Sequence, residues 1–217
     1  MLTFSAVLFD LDGTLVDTAP DLAFALNFLL REQGRSPLTY EEIRPQASNG
    51  SAALIKLGFD IGPADEAYKE LQQRFINLYQ QNIARETRLF DGMEAVLEKL
   101  EANSISWGIV TNKPAFLTDP LVEKLALTDR AACVVSGDTT AHSKPHPAPM
   151  LHACELINHA PEDCLYIGDA ERDIQAGKNT NMRTMTARWG YLAPHDQPES
   201  WQADIIIDHP RDILQWL

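Results

Sequence analysis

Six short runs of nearly uninterrupted apolar residues constrain the fold of this chain more than any other feature. They are FSAVLF (4–9), SWGIV (106–110), ACVV (132–135), CLYI (164–167), RTMTA (183–187) and ADIII (203–207). A strand with one face in water alternates polar and apolar residues, whereas a strand covered on both faces does not. The pattern predicts a parallel sheet flanked by helices. The intervening stretches agree: Met93, Val96, Leu97 and Leu100 mark one helix, and Met150, Leu151, Cys154 and Ile157 mark another after Pro147. Such strand–helix alternation reads as a doubly wound α/β fold.

Residues 17–86 interrupt the alternation with sequence that reads as wholly helical. Leu22, Leu26, Leu29 and Leu30 form one apolar stripe, and Ala64, Ala67, Tyr68, Leu71, Phe75, Leu78 and Tyr79 form a longer one. Thr39, followed by Glu41 and Glu42, is a plausible helix cap. No crossover between neighbouring strands needs that much chain. The expected organisation is an α/β core from 1–16 and 87–217 with a helical domain, 17–86, inserted after the first strand. The chain should cross between the two near Val16 to Thr18 and near Thr87 to Phe90. The closing HPRDILQWL reads as a short helix with Pro210 in its first turn.

With 217 residues, 45% of them hydrophobic, the chain can bury one substantial core and a smaller accessory one. Its formal net charge of -13 disfavours nucleic acid and anionic membranes as partners, since no basic patch offsets it. Cys133, Cys154 and Cys164 lack ligand spacing and read as buried thiols. The N-terminal segment lacks the pattern of a signal peptide, and no stretch is apolar for long enough to span a bilayer, so a cytoplasmic protein is expected. The oligomeric state is left open between a monomer and a weak dimer.

In a parallel α/β sheet, ligands collect beyond the carboxyl ends of the strands. The first strand ends in Asp10 and Asp12, the second in Thr111, Asn112 and Lys113. Ser143-Lys144-Pro145 follows the third, and Gly168-Asp169 ends the fourth, with Glu171 and Asp173 close behind. Clustered carboxylates repel one another unless a cation holds them, and an all-oxygen donor set suits Mg²⁺. Such an ion would also attract a phosphate and keep Asp10 ionised as a nucleophile. Lys144 offers a fixed positive charge, while Thr111 and Asn112 offer hydrogen bonds to phosphoryl oxygens. Asp12, two residues on, faces the same side of an extended chain and can exchange protons with the leaving oxygen and with water.

Taken together, FDLDGT, Thr111, the lysine of SKPHP and GDAERD resemble the four motifs of the haloacid-dehalogenase superfamily of phosphatases. That resemblance implies a Rossmann-like core with an inserted all-helical cap. It implies Asp10 as nucleophile, Asp12 as general acid/base, Thr14 as a supporting hydroxyl, and Mg²⁺ on the Asp10 side chain, the Asp12 carbonyl and Asp169, with Asp173 as helper. An aspartate at position 12 favours phosphate transfer over dehalogenation.

A phosphate monoester is therefore the expected small-molecule substrate. Arg44, Ser48, Asn49, Gly50 and Ser51 lie where the cap should dip toward the site. Arg44 is a candidate for pairing with a second anionic group, and Lys113 and Arg188 are other anion-reading candidates. Phosphoglycolate phosphatases share the general pattern. GIVTNKP (108–114), SKPHPAPMLHAC (143–154) and the tail at 188–210 resemble N-acetylmuramic acid 6-phosphate phosphatases more closely. A sugar phosphomutase, a dehalogenase and a non-catalytic phosphate-ester-binding module are the competing readings.

Overall fold

A computed structural model describes residues 4–217; positions 1–3 of the expected core segment 1–16 lie outside the described residues. The sheet has six strands: β1 (Ala6–Phe9), β4 (Ser106–Val110), β5 (Val134–Val135), β6 (Cys164–Gly168), β7 (Arg183–Ala187) and β8 (Ile205–Ile207). Their spatial order is β5-β4-β1-β6-β7-β8, with every pairing parallel. The first strand thus lies between the second and fourth of the six, at the point where the strand order reverses. All four of its residues are buried, which is why its sequence does not alternate.

Helices cover both faces. Val7 and Phe9 face a large core cluster with Met93, Val96, Leu97 and Leu100 of α5 (Met93–Ala102). Ala6 and Leu8 face a smaller one with Met150, Ala153 and Cys154 of α7 (Ala148–Ile157). All three cysteines are buried and free. Two further helices, α6 (Ala115–Lys124) and α8 (Glu171–Lys178), follow the second and fourth core strands.

The insertion holds α1 (Ala19–Glu32), α2 (Tyr40–Ile43), a 3-10 turn (Arg44–Asn49), α3 (Gly50–Phe59) and α4 (Tyr68–Gln81). Thr39 caps α2 reciprocally with Glu42: its hydroxyl accepts from the Glu42 N–H at 3.3 Å, and its own N–H donates to the Glu42 carboxylate at 2.8 Å. The stripe expected from Ala64 begins at Tyr68 instead. Ala64 and Ala67 are exposed in turns, with Pro63 immediately before them. Flanking the insertion, β2 (Val16–Asp17) pairs antiparallel with β3 (Arg88–Leu89). This ribbon ties together the two crossings between core and cap. Buried Asp21 reinforces it by accepting from the Glu86 and Thr87 amides and from the Thr87 hydroxyl.

The closing segment is a 3-10 helix, Pro210–Trp216, rather than an α-helix, with Pro210 in its first turn as expected. Among the described residues no helix is long and apolar enough to cross a membrane.

Candidate active site

The chain leaves β1 through a tight turn in which the Leu15 N–H reaches the Asp10 carbonyl and the Gly13 N–H reaches that of Val16. Gly13 has φ +84°, and a Cβ there would lie 2.2 Å from the Asp169 carboxylate. Glycine is required on both counts. The turn brings Asp10, at the tip of β1, beside Asp169, at the tip of β6. One carboxylate oxygen each of Asp10, Asp169 and Asp173 lie within 4.8 Å of one another, and all three residues are buried.

Lys144 enters this cluster from the loop after β5. Its ammonium donates to Asp173 at 2.7 Å, the Tyr166 hydroxyl at 2.7 Å and the Val110 carbonyl at 2.9 Å, and forms an ion pair with Asp10 at 2.8 Å. Burial works against its charge, but Asp10 and Asp173 outweigh that and hold it above the ordinary lysine range. The Asn112 side chain braces the loop, donating to the Lys144 carbonyl and accepting from the Lys144 N–H, each at 2.9 Å. Asn112, expected to bind substrate, thus first fixes the lysine's backbone. Thr111 is buried, and its hydroxyl accepts from the Lys113 N–H.

Burial, opposed by Lys144, pushes Asp10 up to about 6. Burial, and then the charges of Asp10 and Asp173, push Asp169 up to about 7. Asp169 also accepts from the Tyr191 N–H at 2.8 Å, from the Ser48 hydroxyl at 3.2 Å and from the Thr14 hydroxyl at 3.5 Å. Thr14 is fully buried, so it orients Asp169 rather than meeting a ligand. The same Ser48 hydroxyl lies 3.3 Å from the Asp12 carbonyl, so its one proton can go to either acceptor. One small group therefore reaches both the Asp12 carbonyl and the Asp169 carboxylate. A buried, all-oxygen set with excess negative charge, converging in this way, fits a hard divalent cation. Asp173, engaged by Lys144 and by the Ala170 N–H, is committed to positioning the lysine.

The Asp12 carboxylate is held by the Thr18 hydroxyl at 2.5 Å and by the Lys113 ammonium at 2.9 Å. Lys113 also lies 4.7 Å from the ring centre of Tyr79, a residue of α4. Its charge is directed at Asp12, from a place on the cavity base.

Two other candidates are placed elsewhere. The Arg44 guanidinium donates to the Trp189 carbonyl at 2.8 Å and the Gly190 carbonyl at 2.9 Å, and lies over the Tyr191 ring. It clasps cap to core and is not among the residues that line the cavity. Arg188 pairs with Glu199 and Asp208 on the surface.

A cavity of about 380 Å³ opens above this floor. Asp10, Asp12, Thr111, Asn112 and Lys113 form its base, and Ser48, Asn49, Gly50 and Ser51 form one side. Leu22, Phe75, Ile76 and Tyr79 from the cap, with Phe116 and Leu117 from α6, supply apolar walls.

Three contributors were not anticipated. Arg172, on the cavity wall, donates to the Ser48 carbonyl at 2.7 Å and the Asn49 side chain at 3.3 Å. In sequence it is an arginine in the first turn of a helix, indistinguishable from a solvated one. The Tyr191 hydroxyl accepts from the Thr18 N–H at 2.6 Å and the Ala19 N–H at 2.9 Å, capping α1 from the core. Tyr166 supports Lys144 from the middle of a strand that reads only as apolar core.

The Haloacid dehalogenase-like hydrolase family model matches residues 7–187. The chain belongs to that family and is a hydrolase. It is 38% identical over 208 residues to an N-acetylmuramic acid 6-phosphate phosphatase of Pseudomonas putida, covering 96% of this chain and 93% of that one. It is 42% identical over 211 residues to a phosphoglycolate phosphatase of Xanthomonas campestris, covering 97% and 95%. A crystal structure described as a "predicted phosphoglycolate phosphatase" from Haemophilus somnus superposes with a TM-score of 0.87 at 26% identity, covering 98% of this chain and 97% of that one. Family, relatives and acid cluster together support a magnesium-dependent phosphatase that works through an aspartyl phosphate.

Proposed function

We propose that the protein hydrolyses N-acetylmuramic acid 6-phosphate, with residues 17–86 as the cap that reads the sugar and 1–16 with 87–217 as the catalytic core. Asp10 attacks phosphorus as the ester P–O bond breaks, and Asp12 passes a proton to the leaving oxygen. Asp12 then takes a proton from the water that releases phosphate from Asp10. Lys144 and Thr111 stabilise charge on the phosphoryl oxygens, and Asn112 keeps Lys144 in place. Asp10, Asp169 and the Asp12 carbonyl would hold a magnesium ion, which would supply positive charge for the phosphoryl group and for keeping Asp10 ionised.

The observation that carries the substrate reading is the cavity itself. At about 380 Å³, with apolar walls from Leu22, Phe75, Ile76 and Phe116, it matches a substituted pyranose, which has apolar faces as well as polar edges. A two-carbon leaving group would use little of that wall. The relative from Pseudomonas putida bears the same substrate in its name. Such an activity belongs to carbohydrate metabolism and peptidoglycan recycling, in the cytoplasm.

Phosphoglycolate is the second reading, favoured by relatives such as the Xanthomonas campestris enzyme. The test is magnesium-dependent phosphate release from N-acetylmuramic acid 6-phosphate, phosphoglycolate, glucose and fructose phosphates and a nucleotide monophosphate. The amino-sugar ester is expected to give the highest kcat/KM. A higher value for phosphoglycolate would transfer the assignment to it, and isomerisation of a sugar phosphate without phosphate release would indicate a mutase.

A further inference from the structure

The basic side chains on the cavity wall are Lys113 and Arg172. Lys113 is bound to the Asp12 carboxylate, and Lys144, beneath the floor, is bound to Asp10 and Asp173. Arg172 differs from both, because no carboxylate oxygen among the described residues lies within ion-pairing distance of its guanidinium. It is half-buried at the start of α8. Its two hydrogen bonds reach neutral acceptors on the cap, the Ser48 carbonyl and the Asn49 side-chain oxygen.

Two bonds leave most of the guanidinium's N–H groups for a ligand, and a planar fork of this kind matches a carboxylate. A charged acceptor forms the stronger bond, so a carboxylate entering the cavity displaces the Asn49 amide oxygen. The floor already carries the charges of Asp10, Asp12, Asp169 and Asp173, and the substrate's phosphate adds more. A further anion on the leaving group needs a cation with N–H groups still free. Arg172, though Asp173, Asp10 and Asp169 help to hold its charge, pairs directly with none of them. Arg44, the expected reader, clasps Trp189 and Gly190 and does not line the cavity.

We infer that Arg172 reads a carboxylate on the leaving group, so that the preferred substrates are phosphate esters of hydroxy acids rather than of neutral alcohols. The inference rests on the phosphatase reading above, but does not depend on which acid is the substrate. It makes Arg172 a specificity residue in contact with substrate, reaching from the core past the cap loop 44–49.

The test uses matched esters that differ in one carboxylate: N-acetylmuramic acid 6-phosphate against its lactyl carboxamide, and phosphoglycolate against 2-hydroxyethyl phosphate. The wild type is expected to prefer the acid of at least one pair by about 10-fold or more in kcat/KM, the range of a charge-assisted hydrogen bond. Arg172→Gln should abolish most of that preference, chiefly through KM, and Arg172→Lys should restore part of it. A wild type without acid preference overturns the inference. So does Arg172→Gln lowering both members of a pair equally, since that loss belongs to a phosphoryl contact or a structural brace. Absence of phosphate release from every ester, an aryl phosphate included, would remove the phosphatase reading and this inference with it.

Discussion

At the floor of the cavity, Asp10, Asp12, Asp169 and Lys144 are each gripped by partners from different strands and loops. On the cap, helices α1 and α4 present Leu22, Phe75, Ile76 and Tyr79, which offer apolar surface and a single hydroxyl, beside the polar segment 48–51. The floor groups gain their geometry from charge: each buried carboxylate or ammonium is costly alone and therefore fixed by its neighbours. The cap groups gain theirs from packing, which tolerates exchange of one apolar side chain for another. Chemistry assigned to the floor should collapse with a single atom change, whereas changes on the cap should shift preference by modest factors.

The largest effect expected is from Asp10→Asn. Replacing the carboxylate with an amide removes the proposed nucleophile, so kcat should fall by about three orders of magnitude or more while the far-UV circular dichroism stays native. Activity above about a tenth of wild type would separate Asp10 from covalent catalysis.

Magnesium sharpens the contrast in a second way. Without a cation, burial pushes Asp10 up to about 6, and burial with the neighbouring acids pushes Asp169 up to about 7. An aspartate in the unfolded chain titrates near ~3.9. The folded protein thus binds more protons than the unfolded one between about pH 4 and pH 7, and its stability falls as pH rises through that window. A cation on these carboxylates takes the place of the protons. The gain in Tm from magnesium over EDTA should therefore be larger at pH 7.5 than at pH 5. Equal gains at both would place the ion away from Asp10 and Asp169.

The same contrast explains what could be read from sequence. Asp10, Thr111, Lys144 and Asp169 were legible because each follows an apolar run whose lack of alternation declares a buried strand, and the ends of neighbouring parallel strands share one edge of the sheet. Arg44 and Arg172 were not, because sequence shows a charge without its acceptor. Arg44 finds main-chain carbonyls some 145 residues away, at Trp189 and Gly190. Arg172 reaches back to Ser48 and Asn49 on the cap. The β2–β3 ribbon was hidden for a similar reason: two pairs of residues on either side of a long insertion carry too little periodicity to announce a strand.

Arg44 provides a smaller and more diagnostic prediction. Arg44→Ala removes two charge-assisted hydrogen bonds and a stacked guanidinium that join cap to core. A loss of about 1.5–3 kcal/mol in stability is expected, from the usual worth of hydrogen bonds to charged groups. Since Arg44 touches no part of the cavity wall, KM should rise by a similar factor for acid and neutral esters. A loss confined to carboxylate-bearing esters would return Arg44 to substrate reading and weaken the case for Arg172.

The smallest effect is expected at Tyr79, the one polar group on the apolar wall. Its hydroxyl is buried and meets no hydrogen-bond partner, and burial, partly offset by Lys113, pushes the phenol up to about 12. Tyr79→Phe keeps the ring beneath the Lys113 ammonium and discards only the unsatisfied hydroxyl. Removing a buried polar atom that has no partner is neutral or favourable, so stability should be unchanged or higher by up to about 1 kcal/mol. Tyr79→Leu, by contrast, removes the aromatic face from the ammonium that holds Asp12, and should cost more in kcat than Tyr79→Phe. If the two variants lose kcat equally, the hydroxyl rather than the ring is what the lysine uses, and the wall formed by α1 and α4 is less purely apolar than its packing indicates.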